Sequence, residues 1–113
     1  AQGLTVLAQG AQSLGLSVMV FSGYTKNELD VLQLPGVDQL IRYTDVLVDG
    51  PYEVNLPEQN RRWAGSTNQQ FHYLTTRYDA RIESDGEVER VLEVRLRTDG
   101  SMFINGWPEK VLR

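Results

Sequence analysis

Gly15-Leu16-Ser17-Val18-Met19-Val20-Phe21-Ser22-Gly23-Tyr24-Thr25 is the stretch whose reading decides the fold. Leu16 to Phe21 is a nearly unbroken apolar run, too short for a helix and rich in β-branched and aromatic residues, so it predicts a central parallel strand buried on both faces. Upstream, Leu4, Leu7, Ala11 and Leu14 recur at spacings of three and four. That period predicts a helix over residues 2 to 14, with Gln9, Gln12 and Ser13 on its polar face and Gly15 ending it in a left-handed conformation. Downstream, Thr25-Lys26-Asn27-Glu28 has capping-box spacing, which predicts a helix starting near Lys26 with apolar positions Leu29, Val31 and Leu32. Leu34-Pro35-Gly36 stops it, because proline lacks the N–H donor and disfavours helix at the residue before it. A second helical turn, Val37 to Tyr43, leads to the acid-bracketed apolar run Asp45-Val46-Leu47-Val48-Asp49. Strand, helix and strand within about 30 residues make a βαβ unit, so residues 1 to 50 read as an α/β layer.

Residues 51 to 70 hold Pro51, Pro57, Gly65 and a dense polar cluster without periodicity, and predict a loop crossing the sheet edge. Beyond Phe71, Val88, Leu92, Val94 and Leu96 alternate locally with Glu93, Arg95 and Arg97, the pattern of half-solvated antiparallel strands. Asp85-Gly86 and Asp99-Gly100 suit type I′ hairpin turns, so a meander of roughly three antiparallel strands is expected, ending near Trp107-Pro108.

The 113 residues are 41% apolar, with 11 Lys and Arg against 15 Asp and Glu and a net charge of −4. That size suits one small domain, and the charge gives no electrostatic reason to bind a phosphate backbone. Neither an apolar run of membrane-spanning length nor a signal-peptide pattern is found, and the expected setting is the cytoplasm. There is no cysteine, which excludes disulfides and thiolate-ligated zinc or iron–sulfur sites within these residues. The chain opens on Ala1 with a helical pattern and no N-cap before it; the expectation is a chain continuing upstream, the alternative a processed N-terminus.

In parallel sheets ligands collect at the carboxyl ends of the strands. The first such end runs through Ser22-Gly23-Tyr24-Thr25, the second through Asp49-Gly50-Pro51-Tyr52. Asp49 suits a ligand hydroxyl or amine and suits equally an Asx-turn before Gly50, while Ser22 and Tyr24 are ligand contacts or turn formers. Arg61-Arg62-Trp63-Ala64-Gly65-Ser66-Thr67-Asn68-Gln69-Gln70 packs two guanidinium groups, an indole and five further hydrogen-bonding side chains into ten residues. It reads as a recognition loop or, somewhat better, as a self-bonded Ω-type loop. His72, the single histidine, sits among Phe71, Tyr73 and Leu74 and reads as packed rather than catalytic. No dinucleotide fingerprint, P-loop, nucleophile elbow or zinc-protease motif occurs, so self-contained catalysis is not expected.

Residues 15–25, then 45–52, then 62–70, in order and in register, resemble the second half of the radical S-adenosylmethionine proteins that activate glycyl-radical enzymes, especially anaerobic ribonucleotide reductase activating proteins. Those proteins show a Ser/Thr-Gly-Tyr strand exit, an Asp-Val-Leu-Val-Asp-Gly strand and a Gly-Ser-Ser-Asn-Gln-Arg loop; here Thr67 replaces Ser and Gln70 replaces Arg. The resemblance covers about residues 1 to 76. It implies the C-terminal half of a partial (β/α) barrel with a polar loop, followed over residues 77–113 by an antiparallel β extension. It also implies an upstream Cys-x-x-x-Cys-x-x-Cys loop for a 4Fe-4S cluster and a Gly-Gly-Glu-Pro segment for S-adenosylmethionine, neither of which occurs in this chain. Carried over by position, Ser22, Tyr24 and Asp49 border the cofactor; for Gly65 to Gln69 the resemblance implies a recurring loop without a role, and the density of hydrogen-bonding groups is what makes Arg62, Gly65, Ser66, Asn68 and Gln69 the expected substrate or partner loop.

Two readings follow. In one, the chain is the cofactor-side part of a radical enzyme whose protein substrate is a glycyl-radical enzyme, and is inactive and without bound cofactor by itself. In the other it is a non-catalytic binding module that shares the half-barrel. Exposed strand edges of a divided barrel would favour self-association or weak amide protection over residues 1 to 25.

Overall fold

The computed structural model describes residues 2–88 and 90–106, with side chains from residue 6 onward. The elements in chain order are α1 (Gln2–Ser13), β1 (Ser17–Ser22), α2 (Lys26–Leu32), α3 (Val37–Arg42), β2 (Val46–Asp49), β3 (Gln70–Tyr73), a 3₁₀ turn (Ala80–Glu83), β4 (Val91–Leu96) and β5 (Met102–Gly106). The strands form one sheet in the order β3-β2-β1-β4-β5. β1 is buried along its whole length, as its apolar run requires. It pairs in parallel with β2 (Met19 with Val46, Phe21 with Val48) and, on its other edge, with β4 (Ser17 with Val91, Phe21 with Arg95). β3 and β5 close the edges as antiparallel partners of β2 and β4.

Period-two alternation divides the core between the faces of the sheet. Val18, Val20, Leu47, Leu92, Val94 and Leu96 face the helices and pack with Ala8 and Ala11 of α1, Leu29 of α2, and Val37 and Leu40 of α3. Met19, Phe21, Val46 and Val48 face the other way and are covered by Ile82 of the 3₁₀ turn with Trp63, Phe71, Tyr73 and Tyr78. The two faces therefore have different covers. One carries regular helices, and the other carries the long segment after β2.

The helix signals are met at atomic level. Thr25 Oγ1 accepts from Glu28 N and Glu28 Oε1 accepts from Thr25 N, completing the capping box. Gly15 takes φ +79° at the end of α1, and Gln12 Nε2 ties α1 to α3 through the carbonyl of Tyr43 at 2.7 Å. Of the apolar positions assigned to α2 only Leu29 is buried; Val31 and Leu32 are exposed, as is Leu14 beyond α1. These are short helices, and each contacts the sheet by a narrow stripe.

Three features depart from the sequence expectation. β3 starts on Gln70, the last residue of the expected loop, and is not foreseen as a strand, because Gln-Phe-His-Tyr is short, polar at its start and recruited by the free edge of β2. Instead of a three-stranded meander, the described residues hold one hairpin, β4–β5, and β4 runs parallel to β1. Alternation reports that one face of β4 is wetter than the other; it carries no information about the direction of the neighbouring strand. Asp85-Gly86 is not a hairpin turn: Gly86 N donates to Arg81 O at 2.7 Å, closing the 3₁₀ turn. The Asp99-Gly100 turn does join β4 to β5, with Gly100 at φ +89°. The expected end near Trp107-Pro108 lies outside the described residues.

Asp45 fixes the start of β2 against β1. Its Oδ2 accepts from Val18 N at 2.9 Å, its Oδ1 accepts from Thr75 Oγ1 at 2.9 Å, and its own N–H donates to Val18 O at 2.8 Å. The residue is 4% exposed, so water cannot replace the carboxylate. Asp45→Ala is expected to destabilise the chain by about 1–3 kcal/mol through the orphaned buried N–H, read as a lower urea midpoint with unchanged slope. Thr75→Val, which removes one partner and leaves the Val18 contact intact, should cost less.

Candidate functional site

The parallel strands β2, β1 and β4 end on one side of the sheet, and a cleft of about 570 Å³ opens there. Its walls come from all three exits: Phe21, Ser22 and Gly23 at the end of β1, Gly50 to Tyr52 after β2, and Arg95 to Asp99 at the end of β4. Trp63, Gly65 and Gln69 close it from the loop. A second, polar cleft of about 390 Å³ lies where β2 meets the start of α2, between Thr25, Lys26, Asn27, Asp49, Asn68, Gln70 and His72.

The two clefts separate the residues singled out from sequence. Ser22, Gly65 and Gln69 line the first, whereas Asp49 and Asn68 line the second; Tyr24, Arg62 and Ser66 line neither. Ser22 Oγ accepts from Tyr24 N at 2.9 Å and donates to Tyr24 O at 3.0 Å, so its hydroxyl shapes the strand exit. The Tyr24 hydroxyl reaches Thr98 O at 3.3 Å, joining the β1 exit to the β4–β5 turn. Asp49 Oδ2 accepts from Lys26 N at 2.6 Å and lies 3.1 Å from His72 Nε2, without the direction of a good hydrogen bond. Asp49 thus clamps the β2 exit to the first turn of α2, while Gly50 N donates to Tyr24 O at 3.1 Å. His72 is packed against that carboxylate from the neighbouring strand.

The loop between β2 and β3 is largely self-bonded, the stronger of the two readings of its sequence. Gln69 Oε1 accepts from Gly65 N and Ser66 N while its Nε2 donates to Gly50 O. Asn68 Nδ2 donates to Pro51 O at 2.8 Å, and Ser66 Oγ accepts from Glu53 N at 3.1 Å. The loop folds back on the β2 exit by these bonds. Arg62 faces away from the cleft and donates to Gly86 O at 3.0 Å. Gly65 lies against Tyr52: a Cβ there would stand 2.9 Å from the ring.

Arg61 and Trp63, which the sequence shows only as members of the loop's polar cluster, organise the rest. Arg61 donates through Nε to Glu58 Oε1 at 2.8 Å and through Nη2 to the carbonyls of Ser66 and Thr67, and lies over the Phe71 ring. Trp63 adopts φ +77°, stacks on Phe21 at 6.3 Å between centroids, and buries its indole N–H without an acceptor. A left-handed non-glycine backbone and an unmet donor are both local costs, held in place by the surrounding packing. The usable signal for the cleft wall was the β4 alternation, which puts Arg95 and Arg97 on one face.

With this geometry in place, relatives can be compared. The family described as a 4Fe-4S single cluster domain matches residues 2–72. The chain belongs to that family. It is similar to anaerobic ribonucleoside-triphosphate reductase-activating proteins: 36% identical over 64 residues to that of Escherichia coli strain K12, covering 57% of this chain and 39% of the relative. The Salmonella typhi protein is 34% identical over the same coverage, and that of Vibrio cholerae El Tor is 38% identical over 58 residues, 51% of this chain and 35% of the relative. The chain spans about two fifths of the length of these curated relatives. No solved structure matches it. It is a relative of the radical S-adenosylmethionine activating proteins, as its three motifs indicate.

The cluster for which the family is named does not fit the residues present. The chain has no cysteine, and among the described residues no three of His, Asp or Glu converge as metal ligands. Among the described residues, too, no helix is long and apolar enough to cross a membrane.

The loop's acid response follows from Glu58. Hydrogen bonds from the backbone of Arg61, then from its side chain, then from the backbone of Asn60, hold its carboxyl below the usual glutamate range. A depressed carboxylate contributes stability above its unfolded pKa, about 4.3, and loses it as pH falls through the folded value. In a Trp107→Phe background, Trp63 fluorescence should therefore report loop opening below about pH 4. Glu58→Gln should flatten that acid limb; an unchanged profile would show that Glu58 does not hold the loop.

Proposed function

We propose that these residues form the cofactor-side part of a radical S-adenosylmethionine activating-type protein, within a partial (β/α) barrel whose cluster-binding segment is other polypeptide. The observation that carries this reading is the convergence of three strand exits and the self-bonded loop on one cleft, together with the family match over residues 2–72. In this reading the cleft receives the cofactor, with Ser22 and Tyr24 setting the β1 exit and Asp49 holding the β2 exit at its border. Arg62 and the Gly65–Gln69 loop support the approach of a protein substrate of the glycyl-radical class. When bound, S-adenosylmethionine would supply the radical chemistry; the residues here bind and orient. The lack of thiolates favours a second reading, a non-catalytic binding module built on the same fold.

Anaerobic reconstitution with iron and sulfide separates the two. The 113-residue chain should take up no cluster and show no S-adenosylmethionine binding at micromolar concentration, whereas its native polypeptide with any preceding residues should assemble a cluster and cleave the cofactor. Native polypeptide that carries no cysteine triad, or that cannot cleave the cofactor, would sink the activating reading in favour of the binding module. In a cluster-loaded native protein, Asp49→Ala should weaken cofactor binding by about 1–3 kcal/mol, roughly 5- to 150-fold. Equal affinity in that variant would remove Asp49 from the site.

A further inference from the structure

The β4 wall of the cleft lies outside the family match, which ends at residue 72, and its chemistry differs from that of the other walls. Leu92, Val94 and Leu96 point to the helix side and are buried, so Arg95 and Arg97 share the opposite face two residues apart. Both line the cleft. Side chains at i and i+2 of a strand stand about 7 Å apart at their bases, a spacing from which two guanidinium groups can converge on one small group.

Each guanidinium is already seated. Arg95 lies over the Phe21 ring with its central carbon 4.3 Å from the centroid, and Arg97 lies over the Phe103 ring at 4.4 Å. The register explains the arrangement, since Phe21 pairs with Arg95 and Arg95 pairs with Phe103 across β1, β4 and β5. Stacking engages the flat face of a guanidinium and leaves its in-plane N–H edges available. Phe21 lies on β1 and Phe103 on β5, so the two stacks seat the guanidinium groups toward opposite sides of β4 and leave the space between them for a shared group.

Two carboxylates stand near the pair. Glu93 Oε1 forms an ion pair with Arg95 Nη2 at 3.8 Å, while its Oε2 accepts from Asn105 Nδ2 at 3.1 Å. Asp99, the one acid among the lining residues, feels the charge of Arg97 and accepts from Ser101 N at 2.8 Å and Ser101 Oγ at 2.6 Å in the hairpin turn. Neither carboxylate accepts a hydrogen bond from either guanidinium, so the N–H edges of both arginines stay open to a ligand.

We propose that Arg95 and Arg97 form an oxyanion subsite in this cleft, holding a phosphate or carboxylate group of a ligand whose less polar part lies toward Trp63 and Tyr52. Guanidinium forks match planar and tetrahedral oxyanions through paired, charge-assisted hydrogen bonds. The subsite calls for neither a cluster nor S-adenosylmethionine, so it stands or falls separately from the activating reading.

The test titrates the 113-residue chain with inorganic pyrophosphate in one arm and succinate in the other, following the side-chain Nε–Hε resonances of its arginines by NMR. Saturable shifts of Arg95 and Arg97, with Arg42 on the exposed side of α3 unmoved, are expected in at least one arm. The tighter arm names the group. Arg97→Gln should weaken that binding roughly tenfold and Arg42→Gln less than twofold, although both remove one charge. Because the Gln variants also remove the stacks on Phe21 and Phe103, Arg95→Lys and Arg97→Lys serve as milder variants, keeping the charge without the fork and giving an intermediate loss. Shifts that do not saturate in either arm, or equal losses in Arg97→Gln and Arg42→Gln, would overturn the subsite.

Discussion

The whole arrangement depends on β1 being buried on both faces and hydrogen-bonded on both edges. A strand of this kind cannot be stable alone: six successive buried residues need two layers and two neighbouring strands. The helices satisfy one face, while the segment from Trp63 to Ile82 satisfies the other. β2 and β4 satisfy the edges, each in the parallel sense. Because parallel neighbours end on the same side, the same constraint that stabilises β1 collects three strand exits at one edge. The cleft is thus a by-product of how the central strand is covered.

Asp45 and Asp49, at the two ends of β2, show how this covering is made exact in position. Each is buried, and each spends its carboxylate on a backbone N–H of another element, Val18 of β1 and Lys26 of α2 respectively. In sequence they look like a matched pair of polar brackets around an apolar run. In space one sets the register of the sheet and the other sets the angle at which α2 leaves it. Burial with satisfied partners is a role a carboxylate fills at useful cost only where its hydrogen bonds are complete.

Local signals made much of the first fifty residues legible. The capping box at Thr25 and Glu28, the left-handed stop at Gly15 and the doubly apolar runs of β1 and β2 each encode their structure within a few residues. What could not be read depends on distant partners. β3 exists because an edge was free, and β4 runs parallel to β1 because the chain returns from the far side of the sheet; neither fact is local. The site followed the same division. Ser22 and Asp49 were found at strand exits, as topology requires, but their assignment to different clefts turned on which way single hydroxyl and carboxylate groups point. The loop amides read somewhat better as self-bonded than as ligand contacts, and their internal partners bear out that reading. Arg95 and Arg97 were visible as one side of an alternation, without any hint that the other end of that strand's sheet was the cleft.

That alternation on β4 has a consequence for how such a chain could change over evolutionary time. Leucine and valine at the even-numbered positions hold the helix-side core together, while of the odd-numbered ones Val91 joins the core of the opposite face and Arg95 and Arg97 line the opening. One strand therefore keeps its two tasks on separate sets of residues. Substitutions at Arg95 and Arg97, or at Glu93 through its ion pair with Arg95, can re-tune the charge of the opening with little disturbance to the helix-side packing, so this wall is where relatives of similar architecture would be free to diverge in what they accept.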